Sequence, residues 1–128
     1  KFLRQWYEVT FSRTSINTSK SSLSNSKWFP CTKGGDFRKW YGNNEYVVNY
    51  KNNGEELRNY YENGRLKSSL SGESYYFYPY LCWSDVSSSF PSFRYQPKGY
   101  IFETQSHACI GIKETTSFLL SLCNTSIT

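Results

Sequence analysis

The first eleven residues set a strand-like rhythm. Over residues 2–11, Trp6, Glu8 and Thr10 fall on one side of an extended chain and Tyr7, Val9 and Phe11 on the other, which predicts a strand. Residues 12–26 are dominated by Ser, Thr and Asn and read as a flexible loop. "KWFPCT" predicts a short strand, with Pro30 placing it at an edge or a bulge because proline has no N–H to give a ladder. Gly34-Gly35 then turns the chain. "EYVVNY" (45–50) is β-branched at its centre and aromatic at both ends, a strong strand pattern.

A helix is predicted over 53–63. Asn53 is placed to cap, Glu56 follows three residues later, Leu57, Tyr60 and Tyr61 share a face, and Gly64 suits a left-handed stop. A second polar stretch, 64–74, reads as another flexible loop. "SYYFYPYLCW" (74–83) predicts one long buried strand kinked at Pro79. "SDVSSSF" and "SFRYQPKGYIF" supply one or two more strands around a turn at Pro97-Lys98-Gly99. From Thr115, "TTSFLLSLCN" predicts a capped helix with an apolar face. The sum is a single α+β unit: a mixed, twisted β-sheet, about two helices and an aromatic-rich core. The chain opens and closes inside what read as elements, so we expect an excised piece of a longer protein.

Composition changes the picture in one respect. Rings make up 20% of the 128 residues (Tyr 12, Phe 9, Trp 4), and Met is absent. Much of the apolar mass is therefore amphipathic, which suits sheets and binding surfaces. Fifteen Lys+Arg against ten Asp+Glu give a net charge of +5, which permits a polyanionic partner without requiring one. No apolar run reaches the roughly 20 residues a membrane span needs. Cys31, Cys82, Cys109 and Cys123 form no Cys-x-x-Cys pair, and His107 is the sole histidine, so no metal site and no disulfide scaffold is expected. They read as reduced thiols of a cytoplasmic protein.

Catalytic chemistry is not visible. "SHAC" sets His107 and Cys109 on one side of a strand by period two alone, and "GGDFRKWYG" lacks the Gly-Lys-Ser/Thr of a phosphate loop. Binding is better supported. In "KWFPCTKGGDFRKWYGNN" the cations Lys33, Arg38 and Lys39 interleave with Phe37, Trp40 and Tyr41, a pairing of phosphate-reaching charges with stacking rings. Asn43 offers an amide beside them, and Arg94 and Lys98 form a second basic set around the later turn. A half-buried sheet whose rings are core and whose cations snorkel outward would use the same residues.

"KWFPCTKGGDFRKWYGNNEYVVNYKNNGEEL" resembles a segment following the catalytic domain of adenine-specific DNA methyltransferases of BREX-type phage-defence systems, and of related restriction–modification enzymes. "FLRQWYEVTF", "LCWSDVSSSFPSFRYQPKGYIFE" and "FLLSLCN" follow in the family's order. The resemblance implies a target-recognition region that binds double-stranded DNA beside an upstream methyltransferase domain and other defence-system proteins. S-adenosylmethionine and methyl transfer to adenine N6 would belong to that upstream domain. The family's Asn/Asp-Pro-Pro-Tyr/Phe tetrapeptide is absent, since the prolines stand at 30, 79, 91 and 97. The resemblance thus implies a non-catalytic piece with no cofactor of its own. Lys33, Arg38 and Lys39 would meet phosphates, and base readout would come from loops 64–74 and 87–95, Arg94 foremost. A protein-interaction segment and a carbohydrate-binding module are the alternative readings.

Overall fold

A computed structural model describes residues 2–16, 18–19, 26–68, 70–84, 90–103, 106–111 and 113–125. Its class is α+β, with two helices and a buried cluster of rings, and its strands divide among three sheets. The largest holds β1 (Leu3–Gln5), β2 (Trp28–Thr32), β3 (Tyr46–Asn49) and β8 (Ile101–Phe102) in the order β1-β3-β2-β8. Phe29 stands opposite Val48 and Cys31 opposite Tyr46 across the antiparallel β2–β3 pair, while β8 runs parallel to β2. A hairpin joins β4 (Tyr61–Glu62) to β5 (Arg65–Leu66), and β6 (Tyr80–Ser84) lies between β7 (Arg94–Gln96) and β9 (Ser106–Cys109).

Several expected elements are shorter than the hydrophobic pattern suggested. The strand expected over 2–11 pairs only at Leu3–Gln5; the chain then enters 3-10 turns at Trp6–Glu8 and Phe11–Arg13. The Glu8 carboxylate accepts the Gln5 N–H at 2.7 Å, a local bond that competes with further pairing. Pro30 is not at an edge, because β2 has β3 on one side and β8 on the other. The Tyr50 amide donates to the Lys27 carbonyl, so alternate residues of β2 face β3, and Pro30 faces the other way. On that side it falls in the gap between the Thr14–Trp28 bridge and the β8 pairing that begins at Cys31.

The helix expected over 53–63 is α1 (Lys51–Arg58), and its first turn is not right-handed: Asn52, Asn53 and Gly54 all have positive φ. Asn tolerates this conformation better than other side-chain-bearing residues. Gly64 does take the left-handed conformation, at φ +73° beside Asn63 at +52°, but as the tip of the β4–β5 hairpin rather than a helix stop. Two successive positive φ values are what a tight hairpin with right-handed strand twist requires, and Asn-Gly supplies them cheaply. The run 74–83 is likewise broken. Glu73–Tyr75 is a 3-10 turn, Phe77 has φ +73°, and only Tyr80–Ser84 is strand, with Pro79 immediately before it. "SDVSSSF" falls mostly on residues outside the described set. The last helix, α2, spans Lys113–Asn124.

The core lies under the first sheet. Phe29 from β2 and Tyr50, at the junction of β3 and α1, meet Tyr76 and Phe77 from the broken run, together with Leu57 and Ile101. The rings pack edge to face, Phe29–Phe77 at 5.6 Å and Tyr50–Tyr76 at 5.7 Å between centroids, the geometry the aromatic quadrupole favours. Tyr50 keeps its hydroxyl satisfied by donating to Glu73 at 3.0 Å. Each such buried ring contributes roughly 1.5–3 kcal/mol from area removed from water. The Thr32 and Tyr80 hydroxyls, 2.8 Å apart, bond the first sheet to the second.

Candidate nucleic-acid interface

The basic, ring-bearing stretch forms an irregular loop that runs from the end of β2 to the start of β3 and lies against the β7 edge. Trp40 makes one parallel bridge there: its amide donates to the Phe93 carbonyl at 2.9 Å, and its carbonyl accepts the Tyr95 amide at 2.9 Å. Holding both bonds puts Trp40 at φ +73°, a conformation that costs a bulky residue about 1–3 kcal/mol and persists only where its surroundings fix it. Those surroundings are polar. The Ser92 hydroxyl accepts the Arg38 N–H at 3.3 Å. Asn43, also left-handed, is buried, and its amide donates to the Asp36 carbonyl at 2.9 Å, closing the loop on itself. Gly42 sits at φ +133°, and a Cβ there would come within 2.8 Å of Arg38 Cδ, so only glycine lets the Arg38 side chain cross at this point.

Arg94 is at the bottom of the arrangement. It is 1% exposed, in β7, and cannot meet a ligand at the surface. Its guanidinium donates to the Arg38 carbonyl at 3.3 Å, to the Ser92 hydroxyl at 3.3 Å and to the Ser84 hydroxyl at 3.4 Å. A rigid fork of donors can bridge separate acceptors in a way no other side chain can. The residue expected to read bases is thus the one that seats the loop. Burial pushes the neighbouring Cys82 thiol up, an effect the Arg94 charge partly opposes.

The end of α2 completes the anchorage. Asn124 pairs with the backbone of Phe93 in both directions, accepting its N–H at 3.0 Å and donating to its carbonyl at 2.8 Å. Lys39 Nζ donates to the Asn124 carbonyl at 2.7 Å, where a cation also meets the negative end of the helix dipole. Lys39 is therefore committed to the fold as much as to the surface. Asn124, Ser92 and Ser84 belong to no motif in the sequence. The one available signal was an Asn closing an apolar helical run.

What remains outward is narrower than the seven expected residues. The Arg38 side chain is exposed, and Trp40 is 48% exposed beside exposed Phe37 and Tyr41. Half-buried Lys33 lies with Nζ 5.0 Å over the Tyr46 ring. Lys98 is exposed in the turn after β7, two residues before Tyr100. Burial and then the adjacent Tyr41 hydroxyl push the Tyr100 phenol up to about 12, so it stays a neutral hydrogen-bonding group. Tyr41 thereby ties the Lys98 turn to the loop. Asn43 and Arg94 support this face from inside.

His107 and Cys109 do share the exposed side of β9, and the His107 ring lies 5.5 Å from Trp83. Cys31 and Cys82 are buried, and burial pushes the Cys31 thiol far up. No cluster of three metal-ligating side chains occurs among the described residues, and none of their helices is long and apolar enough to cross a membrane.

No family model matches the chain. Over 98% of its length it is 40% identical to an adenine-specific methyltransferase, BrxX, of Escherichia coli strain HS. It is 36% identical over the same share to an adenine-specific methyltransferase, PglX, of Lacticaseibacillus casei strain Zhang. These matches bear out the resemblance read from residues 27–57. The chain spans about a tenth of the length of these curated relatives, 10% of the first and 11% of the second.

Proposed function

We propose that this chain is the duplex-facing, non-catalytic target-recognition part of a longer N6-adenine DNA methyltransferase, cytoplasmic and working in a phage-defence or restriction–modification system. The observation that carries the reading is the loop of residues 36–43. Its exposed Arg38, Phe37, Trp40 and Tyr41 stand on a backbone locked from below by Arg94, Ser92 and Asn124. A cation and three rings held on a preorganised backbone lose little conformational entropy on meeting a ligand, which favours binding. Arg38, Lys33 and Lys98 meet phosphates, and Trp40 stacks or wedges against the duplex. S-adenosylmethionine would serve the remainder of the polypeptide.

The test is fluorescence anisotropy of a labelled duplex at about 50 and about 200 mM salt, since each phosphate contact releases condensed counterion. We expect affinity to fall several-fold or more between the two, and Lys33→Glu with Arg38→Glu to abolish binding at the lower salt. A folded protein that binds no duplex at about 50 mM refutes the reading.

One observation favours docking to a protein partner of the same system as a second role. Helix α2 buries Thr116 and Asn124 and leaves Phe118 65% exposed with Leu122, one turn away, also exposed. That contact would be insensitive to salt and lost in Phe118→Ser.

A further inference from the structure

The second sheet has one closed edge and one open edge. On β7 the Phe93 carbonyl and the Tyr95 amide both bond to Trp40, so the 36–43 loop closes that side. By antiparallel alternation, Arg94 and Gln96 turn their backbone groups the other way, onto Cys82 and Tyr80 of β6. Leu81 and Trp83 of β6 then face β9, paired with Cys109 and His107, and Ala108 between those two points its N–H and C=O outward. The Ser106 amide, outward by the same alternation, turns back to the Glu103 carbonyl at 3.0 Å. Among the described residues no strand covers β9 on that side. Such an edge is a template for another chain.

A recess of about 360 Å³ opens beside it. Ala108 and Ser106 line it from β9, and Glu103 from the chain just after β8. Phe102 and Tyr76 wall it with rings whose centroids are 5.1 Å apart. Glu103 Oε1 and Ser106 Oγ are buried with no hydrogen-bond partner, and Glu103 makes no ion pair among the described residues. A buried carboxylate oxygen without a donor is costly, and no Lys or Arg lines the recess to supply one.

We infer that β9 binds an extended, basic segment of a protein partner by strand addition, with one lysine or arginine of that segment seated in the recess. Residues directly opposite each other on paired strands project from the same face. The partner residue across from Ala108 therefore sends its side chain to the face on which Ala108 lines the recess. There an aliphatic stem crosses Phe102 and Tyr76 while its cationic head meets Glu103. Main-chain bonds at the edge supply affinity, and the recess selects the side chain. This site is separate from the duplex-facing loop, and the inference does not rest on it.

The probe is a labelled peptide, Ser-Thr-Val-Lys-Val-Thr-Ser with blocked ends, followed by fluorescence anisotropy and by amide exchange of the protein. We expect it to bind roughly tenfold more tightly than the same peptide with norleucine for lysine, in line with one charge-assisted hydrogen bond. Glu103→Gln, with native circular dichroism, should erase that difference. Methylating the backbone nitrogen of the peptide's lysine removes the donor to the Ala108 carbonyl, leaves the protein untouched, and should abolish binding. Exchange at the Ala108 amide should slow in the complex, while the His107 amide, already bonded to β6, keeps its rate. Equal affinity for the lysine and norleucine peptides overturns the inference. Binding that survives the backbone methylation, or that leaves Ala108 exchange unchanged, overturns strand addition and the inference with it. So does the absence of binding to folded protein. A peptide that binds this chain but not the full-length polypeptide means that the edge is covered from within, which refutes the separate partner. Lys33→Glu with Arg38→Glu should leave peptide binding intact, so this result and the duplex titration are read independently.

Discussion

The ring cluster under the first sheet and the 36–43 loop use the same residue types in opposite senses. Under the sheet, Phe29, Tyr50, Tyr76 and Phe77 are inside, and the charged Arg58 and Glu73 pair half-exposed at the margin. In the loop, Phe37, Trp40 and Tyr41 are outside and the charged Arg94 is inside. Apolar collapse is non-directional, so it fixes which residues meet but not an unusual backbone. Hydrogen bonds are directional, and they hold Trp40 and Asn43 in left-handed conformations in the loop, as backbone bonds to Tyr100 and Gly99 hold Phe77 at φ +73° in the cluster. One region is therefore built for stability and the other for presenting side chains.

That contrast breaks most sharply at Phe29. Phe29→Ala removes a 1% exposed ring from the centre of the cluster and should cost about 3–5 kcal/mol, read as a lower denaturant midpoint. The loop should then unfold together with the core, because β2 carries both. Arg94→Leu should cost less, about 2 kcal/mol, since the guanidinium bonds are long and Leu recovers some packing. Its mark is local. Hydrogen exchange at the Trp40 and Tyr95 amides, which bond across the loop–β7 bridge, should quicken while the Val48 amide stays protected. A uniform loss of protection would mean that Arg94 stabilises the whole sheet and does not specifically seat the loop.

The same contrast explains what could be read from the sequence. Apolar periodicity found β2, β3, β7 and α2, because burial of alternate or helically spaced residues is what the pattern encodes. It overran wherever a local backbone choice intervened. Glu8 captured the Gln5 amide and stopped β1; Asn52, Asn53 and Gly54 turned left-handed ahead of α1; Phe77 at positive φ split the aromatic run. Asn63-Gly64 is a hairpin dipeptide, yet a glycine closing a helical pattern fits a helix stop equally well, and the β4–β5 pairing decides between them. At the candidate interface, composition identified the loop but not the orientation of its members. An arginine two residues beyond a serine gives no sign of pointing inward, since its acceptors, the Arg38 carbonyl and the Ser84 hydroxyl, lie far away in sequence.

Asn124 sharpens the comparison at its smallest scale, because it isolates one side chain that contributes almost nothing apolar. Its amide does for Phe93 what a neighbouring strand would do, giving one donor and one acceptor to the same residue at 2.8 and 3.0 Å. Asn124→Ala leaves the Phe93 N–H unpaired where the segment is partly buried, while the Phe93 carbonyl keeps the Trp40 amide, and should cost about 1 kcal/mol. Lys39 still reaches the residue's carbonyl in this variant, so the charge on the helix end is untouched and the loss belongs to the amide alone. Thermal unfolding should shift down modestly with the amide of Phe93 exchanging faster. If instead the variant is as stable as the parent and Phe93 stays protected, α2 is seated by its partly buried leucines rather than by hydrogen bonds. The loop face would then share the apolar logic of the ring cluster, and the distinction between the two regions would reduce to Arg94.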